Sequence, residues 1–110
     1  MGRFTLVVLA NPTDGREEEF NEWYSNAHLA DIVAIPGFRS AQRFELKEPM
    51  GCEHRQQYLA IYELECDDPQ AVMKELYRRS GTPAMILSDA LDLRTIISGV
   101  FEPCSLVVTP

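Results

Sequence analysis

The sequence has no long apolar run. Its hydrophobic stretches fall far short of the roughly 20 residues that a membrane-spanning helix takes, so no span is expected. It also lacks any excess of positive charge. Ten Lys and Arg stand against seventeen Asp and Glu, for a net charge of −7. Binding to a phosphate backbone or an anionic membrane surface needs clustered basic residues, so neither nucleic acid nor membrane is expected as a partner. There is no Gly-rich phosphate loop, no CxxC and no nucleophile elbow. Cysteine is scarce: Cys52, Cys66 and Cys104 are an odd number without metal-ligand spacing, and read as reduced thiols. No signal-peptide pattern precedes the first strand-like segment, and Leu6 stands where a myristoylation signal wants Ser or Thr. The expected compartment is the cytoplasm.

What is present is the composition of one globular domain over residues 1–110 with a modest core. "RFTLVVLA" at 3–10 reads as a buried strand. "NPTDG" turns the chain, with Thr13 or Asp14 as candidate N-cap and Glu17, Glu18 and Glu19 in a first helical turn. The helix runs to about Val33 and "IPG" at 35–37 stops it. "FRSAQRFEL" at 38–46 and "QQYLAIYELE" at 56–65 alternate as strands do, joined by the loop "KEPMGCEHR". A second helix is capped by Asp67 or Asp68, carries Pro69 in its first turn and stops at Gly81. "TPAMILSDALD" is expected to hold a short helical turn. "LRTIISGVFEPCSLVV" supplies a fourth strand and a tail, with Gly99 marking a possible bulge.

Strand, helix, strand is thus said twice. Two right-handed crossovers of this kind give an α+β, ferredoxin-like βαββαβ fold, a four-stranded antiparallel sheet with both helices on one face. Leu6 and Val8 lie on one phase of the first strand, Val7 and Leu9 on the other, so both faces want cover. A second copy of the same sheet is the simplest cover. The expected partner is therefore a homodimer mate joined through the sheet faces.

The stretch "EEEFNEWYSNAHLADIVAIPGF" raises the functional question. At about 100° per residue, Phe20, Trp23, Tyr24, Ala27, Asp31 and Ala34 share one helix side, with Asp31 near its middle and His28 on its flank. A carboxylate on a buried face costs several kcal/mol unless it is paired. His28 and Asp31 are close enough to be that pair, an arrangement that raises the histidine pKa and fixes its tautomer for acid–base work. The bland readings stand beside this one. Asp31 can cap the turn before Pro36 or pair with Arg39 or Arg43. His28 can be an ordinary half-exposed residue, and Trp23 and Tyr24 ordinary core. Arg43 holds a carboxylate or enolate if its strand phase faces the pocket, and is a surface charge otherwise. Tyr62 is a candidate pocket hydroxyl or a core tyrosine. His54 reads as an exposed loop residue, and Cys66, beside Asp67 and Asp68, as an inert thiol. His28 and Asp31 alone make a poor metal site, so no metal is expected.

The motif F-x-x-W-Y-x-x-x-H-L-x-D at 20–31, followed by I-P-G-F-x-S-A-x-R-F at 35–44, resembles the dimeric α/β-barrel superfamily, and within it the EthD-like and polyketide-cyclase-like branches. "GVFEP" at 99–103 fits that superfamily's last strand. The resemblance implies two sheets packed as a dimeric α/β barrel, with a pocket between each sheet and its helices and His28 as a pocket residue. It also implies a spread of chemistries: cofactor-free monooxygenases, isomerases, cyclases, lyases and haem proteins. His54 and Cys66 fall near positions implicated in one isomerase branch.

The resulting expectation is a cofactor-free enzyme acting on a small oxygenated, aromatic-derived or polyketide-like molecule. His28 would move the proton, Asp31 would orient it, and Tyr24 would donate to a substrate oxygen. Trp23, Phe44 and Ile61 would be apolar walls, with Arg43 and Tyr62 as further binding residues. The alternatives are a non-catalytic small-molecule-binding or stress-associated dimer, and a monooxygenase, cofactor-free or haem-dependent.

Overall fold

The computed structural model describes residues 1–51 and 55–110. Four strands form one sheet: β1 (Gly2–Ala10), β2 (Phe38–Glu45), β3 (Tyr58–Cys66) and β4 (Ile97–Phe101). Their order is β2-β3-β1-β4, and every neighbouring pair is antiparallel. This is the expected ferredoxin-like arrangement. Between β1 and β2 run α1 (Glu17–Trp23), a π turn (Tyr24–His28) and α2 (Leu29–Val33) as one continuous helical rod. Between β3 and β4 lie α3 (Pro69–Arg79) and a short 3-10 turn at Leu93–Thr95.

Strand β3 shows why the sheet has two distinct faces. Tyr58, Ala60, Tyr62, Leu64 and Cys66 are buried, and the residues between them are partly exposed. The cross-strand register carries this alternation across the sheet. Leu6 faces Tyr62, Val8 faces Ala60, and Arg43 also faces Ala60, so all share the helix-covered side. Val7 faces Ile61, Leu59 faces Phe44, and Leu9 faces Ile97, so these share the open side.

Asp68 caps α3 as its sequence pattern predicts, accepting from the Gln70 N–H at 3.0 Å, with Pro69 just behind it. The "IPG" stop is also as read. Gly37 has φ +109, and a Cβ there would sit 3.1 Å from Val72 of α3, so the turn needs glycine both for its backbone and for the close approach.

Three local expectations are corrected. The N-cap position of α1 is Arg16, with no side-chain cap; the Thr13 hydroxyl is instead taken by the Asp89 carbonyl at 2.8 Å. Residues 82–92 contain no helix, and the helical turn comes later, at Leu93–Thr95, where Asp92 accepts from the Arg94 N–H. Gly99 pairs in register with Val7, and the sheet's irregularity lies instead between Phe38 and Ser40. After Phe101 the chain has no regular structure, and Leu106, Val107 and Val108 are fully open to solvent.

Candidate active site

The helical rod and the turn that follows it present Phe20, Tyr24, His28, Ile32 and Ile35 as their buried residues. Their spacing is four, four, four and three. An α-helix of 3.6 residues per turn cannot hold a run of fours on one line. The π turn at Tyr24–His28 can, because its wider winding delays the phase. The Leu29 N–H accordingly reaches five residues back, to the Tyr24 carbonyl. This overturns the helical-wheel expectation. Ala27 and Ala34 turn outward, Asp31 moves to a partly exposed flank, and His28 takes the central place.

His28 is 8% exposed and is the buried polar side chain of the core. Its ring stacks on Trp23, with centroids 4.5 Å apart, and meets the Tyr24 ring edge-on at 4.9 Å. Its Nδ1 has no hydrogen-bond partner among the described residues. No hydrogen bond joins it to Asp31 within that same set, so the orienting carboxylate is missing. Burial, rather than a neighbouring charge, sets its acidity: the imidazole pKa is pushed down to about 4. The expected direction, upward beside Asp31, is reversed.

His28 and Tyr24 line a cleft of about 180 Å³ between the sheet and the helices. Its other walls are mainly apolar, from Leu6 and Val8 of β1, Ile32 of α2, and Met73 and Leu76 of α3. The Tyr77 and Ser98 side chains add hydroxyls at its border. Tyr24 is held from behind: the Tyr62 hydroxyl, fully buried, donates to the Tyr24 hydroxyl at 3.1 Å. Burial raises the pKa of both phenols, so both keep their protons.

The remaining candidates separate. Trp23 covers the far side of His28 and donates its Nε1–H to the Ile86 carbonyl at 3.0 Å. Arg43 lies on the helix side of the sheet but behind Tyr24, outside the cleft. Its guanidinium sits over the Tyr24, Tyr58 and Phe20 rings at 4.7, 5.1 and 5.3 Å. Phe44 and Ile61 are on the opposite face of the sheet and do not reach His28. Cys66 is buried at the end of β3 away from the cleft, where burial and Asp67 push its thiol pKa up. Cys52 and His54 lie outside the described residues. Sequence reasoning missed the α3 wall, although Val72, Met73 and Leu76 follow the spacing of a buried helix face. Among the described residues, no three His, Cys, Asp or Glu side chains come together as a metal site would require.

No protein-family model matches the chain. A curated protein from Stachybotrys chlorohalonatus (strain IBT 40285), core atranone cluster protein 1, is 39% identical over 62 residues. That match covers 56% of this chain and 25% of the relative, so the chain spans about a quarter of that protein's length. Two solved structures align over nearly the whole chain. One is an EthD family protein from Bacillus halodurans C-125, with TM-score 0.53 and 18% identity, over 94% of this chain and 99% of the other. The second is MhuD from Mycobacterium tuberculosis, a haem degrader with two haems bound in its active site. It aligns with TM-score 0.61 and 15% identity, over 96% of this chain and 99% of the other. The chain thus has the ferredoxin-like fold of these two proteins. No helix among the described residues is long and apolar enough to cross a membrane.

Proposed function

We propose that this protein is a homodimeric, cofactor-free enzyme that moves a proton on a small, mostly apolar molecule carrying an oxygen function, as an isomerase, cyclase or lyase does. The observation that carries the proposal is the buried His28 ring at the wall of an apolar cleft, its Nδ1 without a hydrogen-bond partner among the described residues. A buried polar group without a partner costs about 1–3 kcal/mol, a cost that a bound ligand can offset. Clefts with apolar walls and one or two convergent polar groups are the usual form of a small-molecule site.

The low pKa of His28 suits this chemistry in a specific way. In the empty cleft the imidazole is neutral and able to accept a proton. A ligand whose C–H or O–H proton passes to the ring leaves its electron pair behind as an enolate or phenolate. That negative charge beside the new imidazolium reverses the desolvation that depresses the pKa. Proton transfer is thereby favoured as charge develops on the bound ligand. Returning the proton to another carbon completes an isomerisation. Tyr24, whose oxygen already accepts from Tyr62, has its own O–H free to donate to the ligand oxygen.

Haem fits this cleft poorly. About 180 Å³ is short of the roughly 300 Å³ at which clefts begin to enclose drug-sized ligands, and a haem is larger. A non-catalytic binder is the second reading, and the same pKa near 4 favours it, since a base that weak is slow at neutral pH unless the ligand supplies charge. The homodimer is supported by the open sheet face, where Phe44, Ile97 and Phe101 are exposed together. The name of the relative from the atranone cluster adds atranone-type compounds to the candidates.

A thermal-shift screen of wild type and His28→Ala tests the proposal, with muconolactones, substituted phenols, short polyketide mimics, atranone-type compounds and haem in the library. A phenol, lactone or polyketide mimic should stabilise the wild type and not the variant, and turnover of that hit should fall about 10²–10⁴-fold in His28→Ala. Equal stabilisation of both proteins would remove His28 from the site.

A further inference from the structure

A π turn inside a helix is a local departure from the better-bonded α register, and it persists where other contacts hold it. At Tyr24–His28 the Tyr62 hydroxyl holds one ring, and the contacts to the backbone and side chains where the winding changes come from one side chain of a neighbouring strand. Arg43 of β2 reaches the rod at its switch from α to π winding. Its Nη1 donates to Ser25 Oγ at 2.9 Å and to the Asn21 carbonyl at 3.4 Å; its Nη2 donates to Asn21 Oδ1 at 2.8 Å. The Tyr24 N–H is shared between the Asn21 carbonyl and the Phe20 carbonyl four residues back, and the π bond follows at the Leu29 N–H, which reaches the Tyr24 carbonyl. The guanidinium plane meanwhile lies 4.7 Å from the centre of the Tyr24 ring, and that ring in turn meets His28.

We propose that Arg43 is the positioning residue that holds the π register of Tyr24–His28 and so keeps the His28 ring at the cleft wall. The inference rests on the functional reading of His28, but its test reads the register itself.

Three features favour this role over ordinary surface packing. Among the described residues no carboxylate lies within ion-pair distance of Arg43; its direct polar partners are the Asn21 and Ser25 groups. Keeping a partly buried cation with no ion-paired carboxylate, Glu45 acting on it only at a distance, is costly, which argues for a dedicated task. The contacts also use what arginine alone supplies, a planar fork of donors together with a flat face for aromatic rings. Finally, the alternative register is visible in the sequence. Uninterrupted α winding from Phe20 brings Ala27 and Asp31 to the sheet side and swings His28 to the flank. Arg43 thus favours the one winding in which a histidine, and not an aspartate, meets the cleft.

The test follows the His28 imidazole by NMR through pH in wild type, Arg43→Met and Arg43→Lys, each in a His54→Gln background so that one histidine remains. Backbone shifts of residues 24–28 report the winding. The titratable groups lining the cleft with His28 are the Tyr24 and Tyr77 phenols, with no carboxylate, Lys or Arg among the described lining residues. A change in the His28 midpoint therefore reports a change in the burial of the ring. In wild type the midpoint should lie near 4. In Arg43→Met it should rise by about one pH unit or more, towards the ordinary 6.5, with the 24–28 shifts moving to α-helical values. If Arg43→Met does not fold, Arg43→Lys carries the test: it keeps charge and stem, loses the fork, and should show a smaller rise. A folded variant with the wild-type midpoint and wild-type 24–28 shifts would overturn the proposal. If His28→Ala keeps full ligand binding, the functional reading fails while the register result stands on its own.

Discussion

The Trp23 indole lies stacked on the His28 imidazole, ring centroids 4.5 Å apart and planes inclined by 25°. With Tyr24 meeting the same ring edge-on, the imidazole is held on two sides by aromatic surface. That enclosure gives the ring its low pKa and ties a spectroscopic reporter to it, because the chain has one tryptophan.

Trp23 emission should therefore read the charge on His28. An imidazolium formed against the indole quenches it, so the emission should step down with a midpoint near pH 4 and stay flat through pH 6.5. His28→Asn should abolish the step. A fluorescence titration of both proteins checks this.

The same shift links stability to pH. The folded pKa lies below the ordinary value, so between about pH 6.5 and 4 the unfolded chain binds more proton than the folded one. The His28 contribution is full above that window, falls as pH drops through it, and levels off below about 4. Its size is on the order of 3 kcal/mol. Urea melts of wild type and His28→Asn at pH 7, 5.5 and 4.5 isolate it, because losses from protonating carboxylates are common to both. The stability of wild type relative to the variant should fall by that order across the series.

The Tyr62–Tyr24 hydroxyl pair is buried, and Tyr62→Phe strips Tyr24 of its donor. The cost should be about 1 kcal/mol. In a double-mutant cycle with Tyr24→Phe the coupling should be of similar size; additive effects would mean that the two hydroxyls do not interact.

Phe101 and Ile97 are 59% and 56% exposed on the open sheet face, where Phe44 joins them. Covering that surface is what a sheet-to-sheet dimer would achieve. Sedimentation equilibrium should find wild-type dimers and Phe101→Glu monomers of unchanged secondary structure. A monomeric wild type at micromolar concentration would remove the dimer from the account.

Much of this architecture was legible in the sequence, and the exceptions have physical causes. The Asp68–Pro69 cap, the Gly37 stop and the strict alternation of β3 are local signals, and the structure follows them. The face of the first helix was misread at Asp31, because a wheel drawn at constant pitch cannot anticipate a π turn held by a residue fifteen or more positions away on β2. Phe44 and Ile61 were assigned to the pocket because alternation separates two strand faces without saying which one the helices cover. Tyr24 and His28, four apart in sequence, stayed neighbours in either register and were found together.

The central claim is that His28 meets a small ligand in the cleft, and the most direct measurement is the NMR signal of its ring during titration with a phenol or lactone identified by the thermal screen. The account predicts that the ring signals move with saturation and that the midpoint rises from about 4 in the bound protein. It also predicts that Met73→Trp, which fills the cleft beside His28, prevents both changes. A ligand that stabilises the protein while the His28 signals stay fixed would contradict it.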